Sequence, residues 1–436
     1  MIFVLSQGCA ANFGDGEKIA RILSRHHEVR FDFPETGEGT APEASVEAFY
    51  LNVCTVKGNA QAIKLLTKVH DAYPGVPLFV TGCAPKDFRE EAVKIDPHVK
   101  FTSLAEIEKE IPPASSPGQV LHSGDASSEQ ARNARTLRES PFTGIVNIEE
   151  GCMDACAFCS TRLVKGRLHS FAPDLIVEQV SALVNDGCQE ILLTGQDCAC
   201  YGFDIGTNLA ALVQKILVKV PGNYKIRLGM GNPRHMSTYL EALLDCFADE
   251  RLYKFVHIPV QSGSDRVLLA MNRKHTAEDF RRIANIFNTR FPRFTLSTDI
   301  IVGYPGEAQS DFEQTLRLVE ETRPTVCNIT RFVARPGTPA ARAEAGTEGA
   351  VAGNVKHERS ALLFDTFQKI AEENNRKWVG ETCTVVTEKK GHREGTTICR
   401  DAAYRPVAIA GDYPAGTALR VRITGAEPFA LIAETL

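Results

Sequence analysis

The sequence predicts an α/β chain in three parts: an N-terminal doubly wound parallel sheet, a central βα unit forming a full or partial parallel barrel, and a small C-terminal β-barrel. Three observations predict it. Apolar strand-like runs alternate with helical stretches over residues 1–110, the alternation resumes over 142–345, and residues 380–436 hold short strands with no helix between them. Strand–helix alternation is the mark of parallel sheets, and closely spaced short strands that of small barrels. A chain of 436 residues has room for about three domains.

In the first part the expected strands are Ile2–Leu5, Ala48–Leu51 and Pro77–Val80, with helices over Glu17–Leu23 and Ala60–Ala72. Residues 111–141 gather Pro112, Pro113, Pro117 and Pro141 with six serines, which reads as a linker. Six strand candidates follow: GIVNIEE, QEILLTG, KIRLG, KFVHIPV, LSTDIIVG and VCNITRFV. Helical stretches such as Pro173–Asn185 and Ala277–Asn288 separate them, as a barrel requires. Residues 346–379 read as a helical connector, with Leu363, Phe367 and Ile370, and Phe364 and Ala371, at helix spacing. From Gly380, TCTVVTEK, TTICRD, RPVAIAG, ALRVRITG and FALIAETL are strands divided by turns.

Composition excludes several classes. Hydrophobic residues at 43% and charged residues at 24% rule out a collagenous or wholly disordered chain. No apolar run approaches the ~18 residues of a membrane span. The start MIFVLSQGCAANFGDGE lacks the basic region of a secretory signal, so a cytoplasmic protein with no membrane partner is expected. A net charge of −5 gives no global nucleic-acid signature. The 13 cysteines stand out, because a reducing compartment does not use them as a disulfide framework.

The first cluster is GCMDACAFC, which supplies Cys152, Cys156 and Cys159 just after the strand GIVNIEE. Thiolates in a loop at a strand's carboxyl end lie where barrel active sites gather. Three of them can hold three irons of a 4Fe-4S cluster and leave the fourth iron open for a ligand. A structural zinc site is the rival, with His169 as its nearest fourth ligand. A second set shares one setting: Cys9, Cys54 and Cys83 each end a strand of the first sheet. That edge forms the ligand crevice of open α/β sheets, and soft thiolates converging there suit another iron–sulfur cluster.

The spacing of the first cluster, with Phe158 before its last Cys, resembles the radical S-adenosylmethionine (SAM) enzymes. GCAANFGDGE, NVCTVKGNA and VTGCAP resemble the cysteine motifs of the methylthiotransferase family. LTGQDCACYG, HIPVQSGSDRVLLAMNRKHT, STDIIVGYPGE and RFVARPGTPAA are similar to the same family's radical SAM domain, and the β-rich tail resembles its TRAM domain. KIRLGMGNP, with LTGQD and ARPGTPAA, looks most like the archaeal and eukaryotic branch, which methylthiolates N6-threonylcarbamoyladenosine beside the tRNA anticodon. Two departures are Gly231, where the family commonly has a paired Met, and the thiols Cys198 and Cys200 in a usually thiol-poor loop.

The resemblance implies a domain order of 1–110 with an auxiliary cluster, linker 111–141, radical SAM domain 142–345, connector 346–379 and RNA-binding TRAM-like domain 380–436. Cys152, Cys156 and Cys159 would hold the radical-generating 4Fe-4S cluster, and Cys9, Cys54 and Cys83 an auxiliary cluster carrying the sulfur. One S-adenosyl-L-methionine supplies the radical and a second the methyl group. Gln196, Asp197, Gln261, Ser262, Ser297 and Asp299 at strand ends, with Gly303 and Gly306, would contact that cofactor or cap loops. Arg331 and Arg335 are candidates for a substrate carboxylate or phosphate.

From Arg376 onward nine Lys/Arg face seven Asp/Glu, so RNA contact would rest on a local patch such as Lys389, Lys390, Arg393, Arg420 and Arg422. Implied partners are the tRNA anticodon stem-loop, a sulfur donor, and an electron donor such as ferredoxin or flavodoxin. Cys188, Cys246, Cys327, Cys383 and Cys399 read as packing thiols, while the role of Cys198 and Cys200 stays open. Rival readings are the same chemistry on isopentenyladenosine of tRNA or on a ribosomal-protein aspartate, and a non-catalytic iron–sulfur RNA-binding redox sensor.

Overall fold

The computed structural model describes residues 1–33, 46–54, 59–111, 137–346 and 349–436. Most of the expected 111–141 linker, including Pro112, Pro113 and Pro117, lies outside them, as does part of NVCTVKGNA. The N-terminal sheet contains β1 (Ile2–Ser6), β2 (Val29–Arg30), β3 (Ala48–Cys54), β4 (Leu78–Cys83) and β5 (Lys100–Phe101), all parallel in the order β2-β1-β3-β4-β5. Its inner strands β1, β3 and β4 are largely apolar because both faces are covered. Phe3, Leu5, Phe49 and Leu51 pack on Leu66 and Val69 of the helix Ala60–Ala72, whereas Ile2, Val4 and Tyr50 pack on Ile19 and Leu23 of the helix Ala10–Leu23.

That second helix begins seven residues before the Glu17 expected from sequence. Gly14 and Gly16 are poor helix formers and masked its first turns. Both glycines permit close approach. A Cβ on Gly16 would fall 1.9 Å from Ser6 Oγ, and one on Gly14 would fall 2.8 Å from Asn147 Oδ1.

Six central strands are parallel: β6 (Thr143–Asn147), β9 (Glu190–Thr194) and β10 (Lys225–Leu228) in one sheet, β11 (Phe255–His257), β12 (Thr295–Val302) and β13 (Val326–Arg331) in another. A parallel bridge between Ile226 and Leu252 and the bond from Gly231 N to His257 O, 2.9 Å, join the sheets into one arc. The expected full or partial barrel is therefore a partial one. A short hairpin, β7 (Glu149–Glu150) with β8 (His169–Ser170), follows β6; two-residue strands carry no alternation that a sequence reading can detect. The helix Ala10–Leu23 lies along β6, where Asn147 Nδ2 donates to Ala11 O (3.1 Å) and Asp15 Oδ1 (2.7 Å). It thereby covers an edge strand.

The tail is a closed barrel, β14 (Thr382–Lys390), β15 (Thr396–Arg400), β16 (Pro406–Ala410), β18 (Ala430–Thr435) and β17 (Ala418–Glu427) in spatial order, around Val385, Val407, Val421 and Leu431. It packs against the amino ends of the central strands. Lys254 N donates to Ala402 O (2.8 Å), and Tyr404 packs its ring on Tyr253 and Phe255.

The helix Gly353–Arg376 joins the two units, burying Leu363, Phe367 and Ile370 in the central core, while Phe364 stacks on Phe429 of the tail. Arg359 Nη1 pairs with Glu307 Oε2 at 2.7 Å, the two side chains 8% and 1% exposed. Removing one partner of a buried pair strands the other's charge, at about 3–5 kcal/mol. Arg359→Ala should therefore lower the unfolding free energy of the central unit, read from denaturant titration, by that amount, whereas an exposed control such as Arg376→Ala should leave it within about 0.5 kcal/mol.

Candidate functional site

The strand order changes direction between β1 and β3, and such a switch point opens a crevice at the strands' carboxyl ends. Cys54 and Cys83 are register partners there. Cys9 stands at the N-cap of the helix Ala10–Leu23, where unpaired N–H groups and the helix dipole favour a thiolate. Gly8 at φ +114° lets the segments meet, since a Cβ would fall 2.2 Å from Cys54 Cβ. Hydrogen bonding with Cys54, then burial, pushes the Cys9 and Cys83 thiols well above the ordinary range. Three soft donors gathered at one sheet edge, of which Cys9 and Cys83 resist ionising without a cation, suit a positively charged, thiophilic centre such as an iron–sulfur cluster.

Cys152, Cys156 and Cys159 occupy the loop after β7. Gly151 opens it at φ +80°, where a Cβ would strike Arg167 O at 2.1 Å. Every sulfur in the loop has a donor. Thr161 N–H reaches Cys159 Sγ at 3.4 Å and Arg273 Nη1 reaches Cys156 Sγ at 3.5 Å. A hydrogen bond from Cys200 holds Cys152 below the ordinary thiol range. Burial pushes Cys156 up to about 11, against the pull of Arg273. Donors aimed at ligand sulfurs are the surroundings an iron–sulfur cluster needs.

The two cradles face each other. The helix Thr161–Lys165 packs on β4, and Lys165 Nζ joins Asp15 Oδ2 (3.0 Å) to Glu150 Oε1 (3.1 Å). Arg335 lies between the trios: burial lowers its pKa, while Cys159 and Cys54 both favour its charge. Phe158 packs with Val267, Met271, Tyr304 and Phe332 as an apolar wall beside the loop.

The other residues expected at the site divide. Gln196 Oε1 accepts from Gly151 N (2.7 Å) and so fixes the entry to the cysteine loop. Asp299 faces the arc's interior, bonded to His257 Nε2 (2.9 Å) and Asn328 Nδ2 (2.7 Å), and Ser297 shares that face. Gln261 holds a positive φ of 75° and bridges to Ile300.

Four more of these residues have surroundings of their own. Asp197 is buried and caps its own loop, accepting from Ala199 N (3.2 Å) and Asn232 N (2.9 Å). Ser262 is turned into the helix Gln309–Thr322, its hydroxyl 3.3 Å from Thr315 Oγ1. Gly303 is glycine because a Cβ would fall 2.4 Å from Lys356 Cγ, a packing demand of the connector. Arg331 is exposed and alternates onto the face of β13 opposite Asn328, so of these two arginines it is Arg335 that lies by the thiols.

Lys389 and Lys390 are exposed on β14, and Arg393 pairs with Glu427 at 3.3 Å. Cys188, Cys246, Cys327 and Cys399 are buried. Cys198 points at Leu193 O (3.8 Å) as a packing thiol, while the buried Cys200 stands against Cys152.

Sequence reasoning missed a polar network around Asp154. Its carboxylate takes bonds from Asn232 Nδ2 (2.5 Å) and Arg234 Nη1 (2.9 Å) and lies 3.1 Å from His235 Nε2. Burial opposes its charge, yet His235 and Arg234 hold its pKa below the ordinary range. Glu149 was missed too; it is 1% exposed, raised to about 8 by burial, and accepts from Asp197 N at 2.9 Å. The only sequence signal was position, Asp154 lying inside the cysteine loop and NPRH at a strand end.

Comparison with known proteins places this geometry. Residues 146–319 match the model of the radical SAM superfamily. The radical S-adenosylmethionine methyltransferase TsrM from Kitasatospora setae shares the fold, with a TM-score of 0.52 over 78% of this chain and 74% of that one, at 14% identity. A probable threonylcarbamoyladenosine tRNA methylthiotransferase from Pyrococcus horikoshii is 36% identical over 408 residues, 91% of each chain. The threonylcarbamoyladenosine tRNA methylthiotransferase of Drosophila melanogaster is 30% identical over 444 residues, spanning 100% of this chain and 77% of its own.

The class is therefore that of radical SAM enzymes, whose cofactors are a 4Fe-4S cluster and S-adenosyl-L-methionine. Within it, the chain belongs to the threonylcarbamoyladenosine tRNA methylthiotransferase family, whose second 4Fe-4S cluster the other cysteine trio fits. Among the described residues no helix is long and apolar enough to cross a membrane.

Gly8 offers a test of the first cradle. Gly8→Ala would force Cys54 and the Cys9 segment apart, so reconstituted protein should hold about four irons where the unaltered chain holds about eight. Iron and sulfide assays check this, and a full complement in the variant would show that the cradle tolerates the shift.

Proposed function

We propose that this chain is a tRNA methylthiotransferase that places a methylthio group on carbon 2 of the N6-threonylcarbamoyladenosine next to the anticodon. The observation that carries the reading is the pair of cysteine cradles facing one another with Arg335 between them. Cys152, Cys156 and Cys159 are assigned to the radical-generating cluster, and Cys9, Cys54 and Cys83 to the auxiliary one. When bound, the clusters and S-adenosyl-L-methionine supply the electron, the hydrogen-abstracting radical, the sulfur and the methyl group.

The protein's own part is positioning and exclusion of water. Gln196 and Gly151 set the loop's entry. Phe158 and Phe332 wall it with apolar surface, and Asp299 with His257 presents polar atoms toward the cofactor from the arc's interior. Arg335 supplies the cation for the threonyl carboxylate, since a buried carboxylate left unpaired costs several kcal/mol. An isopentenyl group is apolar and has no use for that cation, which supports the threonylcarbamoyl substrate. Lys389, Lys390 and Arg393 on the tail offer phosphate contacts. A reduced ferredoxin or flavodoxin serves as electron donor, and a separate sulfur donor replenishes the auxiliary cluster.

Replacing Cys152, Cys156 and Cys159 by Ala should leave about four of about eight irons and abolish 5′-deoxyadenosine formation. The same change at Cys9, Cys54 and Cys83 should also leave about four irons but preserve that cleavage. Absence of reductive cleavage in the unaltered holoenzyme would instead favour the redox sensor.

Arg335→Ala separates substrates. Loss of a charge-assisted bidentate contact costs ~1.5–3 kcal/mol, so turnover of threonylcarbamoylated tRNA should fall ~10- to 100-fold while cleavage of S-adenosylmethionine persists. Nucleoside mass spectrometry reads the product, and methylthiolation of isopentenylated tRNA with no loss in the variant would overturn the substrate assignment.

A further inference from the structure

The turn Met271–Asn272–Arg273 clasps three successive residues of the cysteine loop. Ala157 N donates to Met271 O (2.9 Å), Asn272 Nδ2 donates to Ala155 O (2.7 Å), and Arg273 Nη1 donates to Cys156 Sγ (3.5 Å). Asn272 sits at φ +56°, which reverses the chain after the helix Asp265–Ala270 and directs the arginine inward. Arg273 is only 9% exposed. Its Nη2 is anchored on Pro259 O at 2.8 Å, and its Nε is buried with no hydrogen-bond partner among the described residues.

A buried guanidinium spends conformational entropy and desolvation to stand in this place. The carboxylates that sense its charge, Asp154 and Asp197, are occupied elsewhere. Asp154 is bonded to Asn232, Arg234 and His235, and Asp197 to two backbone amides. The sulfur of Cys156 is the acceptor left to Nη1.

We propose that Arg273 is a positioning residue that fixes Cys156 and raises the reduction potential of the radical-generating cluster. The proposal rests on the assignment of Cys156 as a ligand of that cluster. Reduction adds one electron from the external donor to the cluster, with no bond made or broken in the protein. The added negative charge is favoured by a fixed cation and by an N–H donor on a ligand sulfur, two of the features that set iron–sulfur potentials. The low local dielectric strengthens both. Arg273 Nη1 is bonded directly to Cys156 Sγ while its Nη2 is held on Pro259 O, so its effect is exerted through Cys156.

The test is a potentiometric titration of reconstituted holoenzyme followed by electron paramagnetic resonance, with and without S-adenosylmethionine. The cluster whose signal responds to S-adenosylmethionine is the radical-generating one, and the other serves as internal reference. In Arg273→Gln the reduced-to-oxidised ratio of the responsive cluster at a given potential should fall at least about tenfold, equivalent to about 59 mV for one electron.

In Arg273→Lys, which keeps the charge but not the planar fork, the shift should have the same sign and be smaller. The reference cluster should not move in either. An unmoved responsive cluster in a fully loaded Arg273→Gln protein overturns the proposal, and so does an equal shift of both clusters. If Arg273→Gln retains only about four irons, Arg273→Lys decides, and an unchanged potential there overturns it. A failure of the underlying assignment is distinguishable, because the unaltered protein would then hold no cluster responsive to S-adenosylmethionine.

Discussion

The helix Ala10–Leu23 is packed against two sheets at once. Its apolar side, Ile19 and Leu23, covers the N-terminal sheet, and its first turns lie on β6 of the central arc, where Gly14 admits Asn147. Asn147 and Lys165 then bond Ala11 and Asp15 across the joint. Because Cys9 caps this helix and Cys54 and Cys83 end strands of the sheet it covers, any rotation of one unit against the other would carry that trio away from Cys152, Cys156 and Cys159. The joint is polar and close-fitting rather than a broad apolar face, so its geometry is set by hydrogen-bond direction. The cradle at the sheet edge and the cradle in the loop are thereby held facing each other.

The two cradles are built on opposite principles. Cys54 and Cys83 are fixed by β-ladder register, with rigid backbone on both sides. The other trio sits in a loop without regular structure, stitched at each end by side chains and amides: Gln196 to Gly151, Asn272 to Ala155, Thr161 to Cys159. A sheet edge suits a group that holds its place, and a stitched loop suits one that must present an open position to a large cofactor.

The fold was legible wherever periodicity was long. The Pro173–Asn185 helix, the six central strands and the all-β tail follow from hydrophobic pattern alone. The six cysteines were legible because each trio carries its own spacing or shared strand-end position. Contacts between distant segments were not: Arg273 reaches Cys156 across 117 residues, and His235 meets Asp154 across 81. The surroundings of Asp197, Ser262, Gly303 and Arg331 were not legible either, for one shared reason. Proximity to a strand end says where a backbone goes, whereas one residue of phase or one neighbouring helix decides what a side chain or a missing Cβ faces.

The seat of the tail barrel sets a length scale. It rests on the amino ends of the central strands, through Lys254 and Tyr404, while both cysteine trios lie toward carboxyl ends. With strands rising about 3.3 Å per residue, the eight-residue β12 alone spans about 26 Å. A nucleic acid touching the tail while offering one base to the thiols must therefore reach past the full depth of the arc.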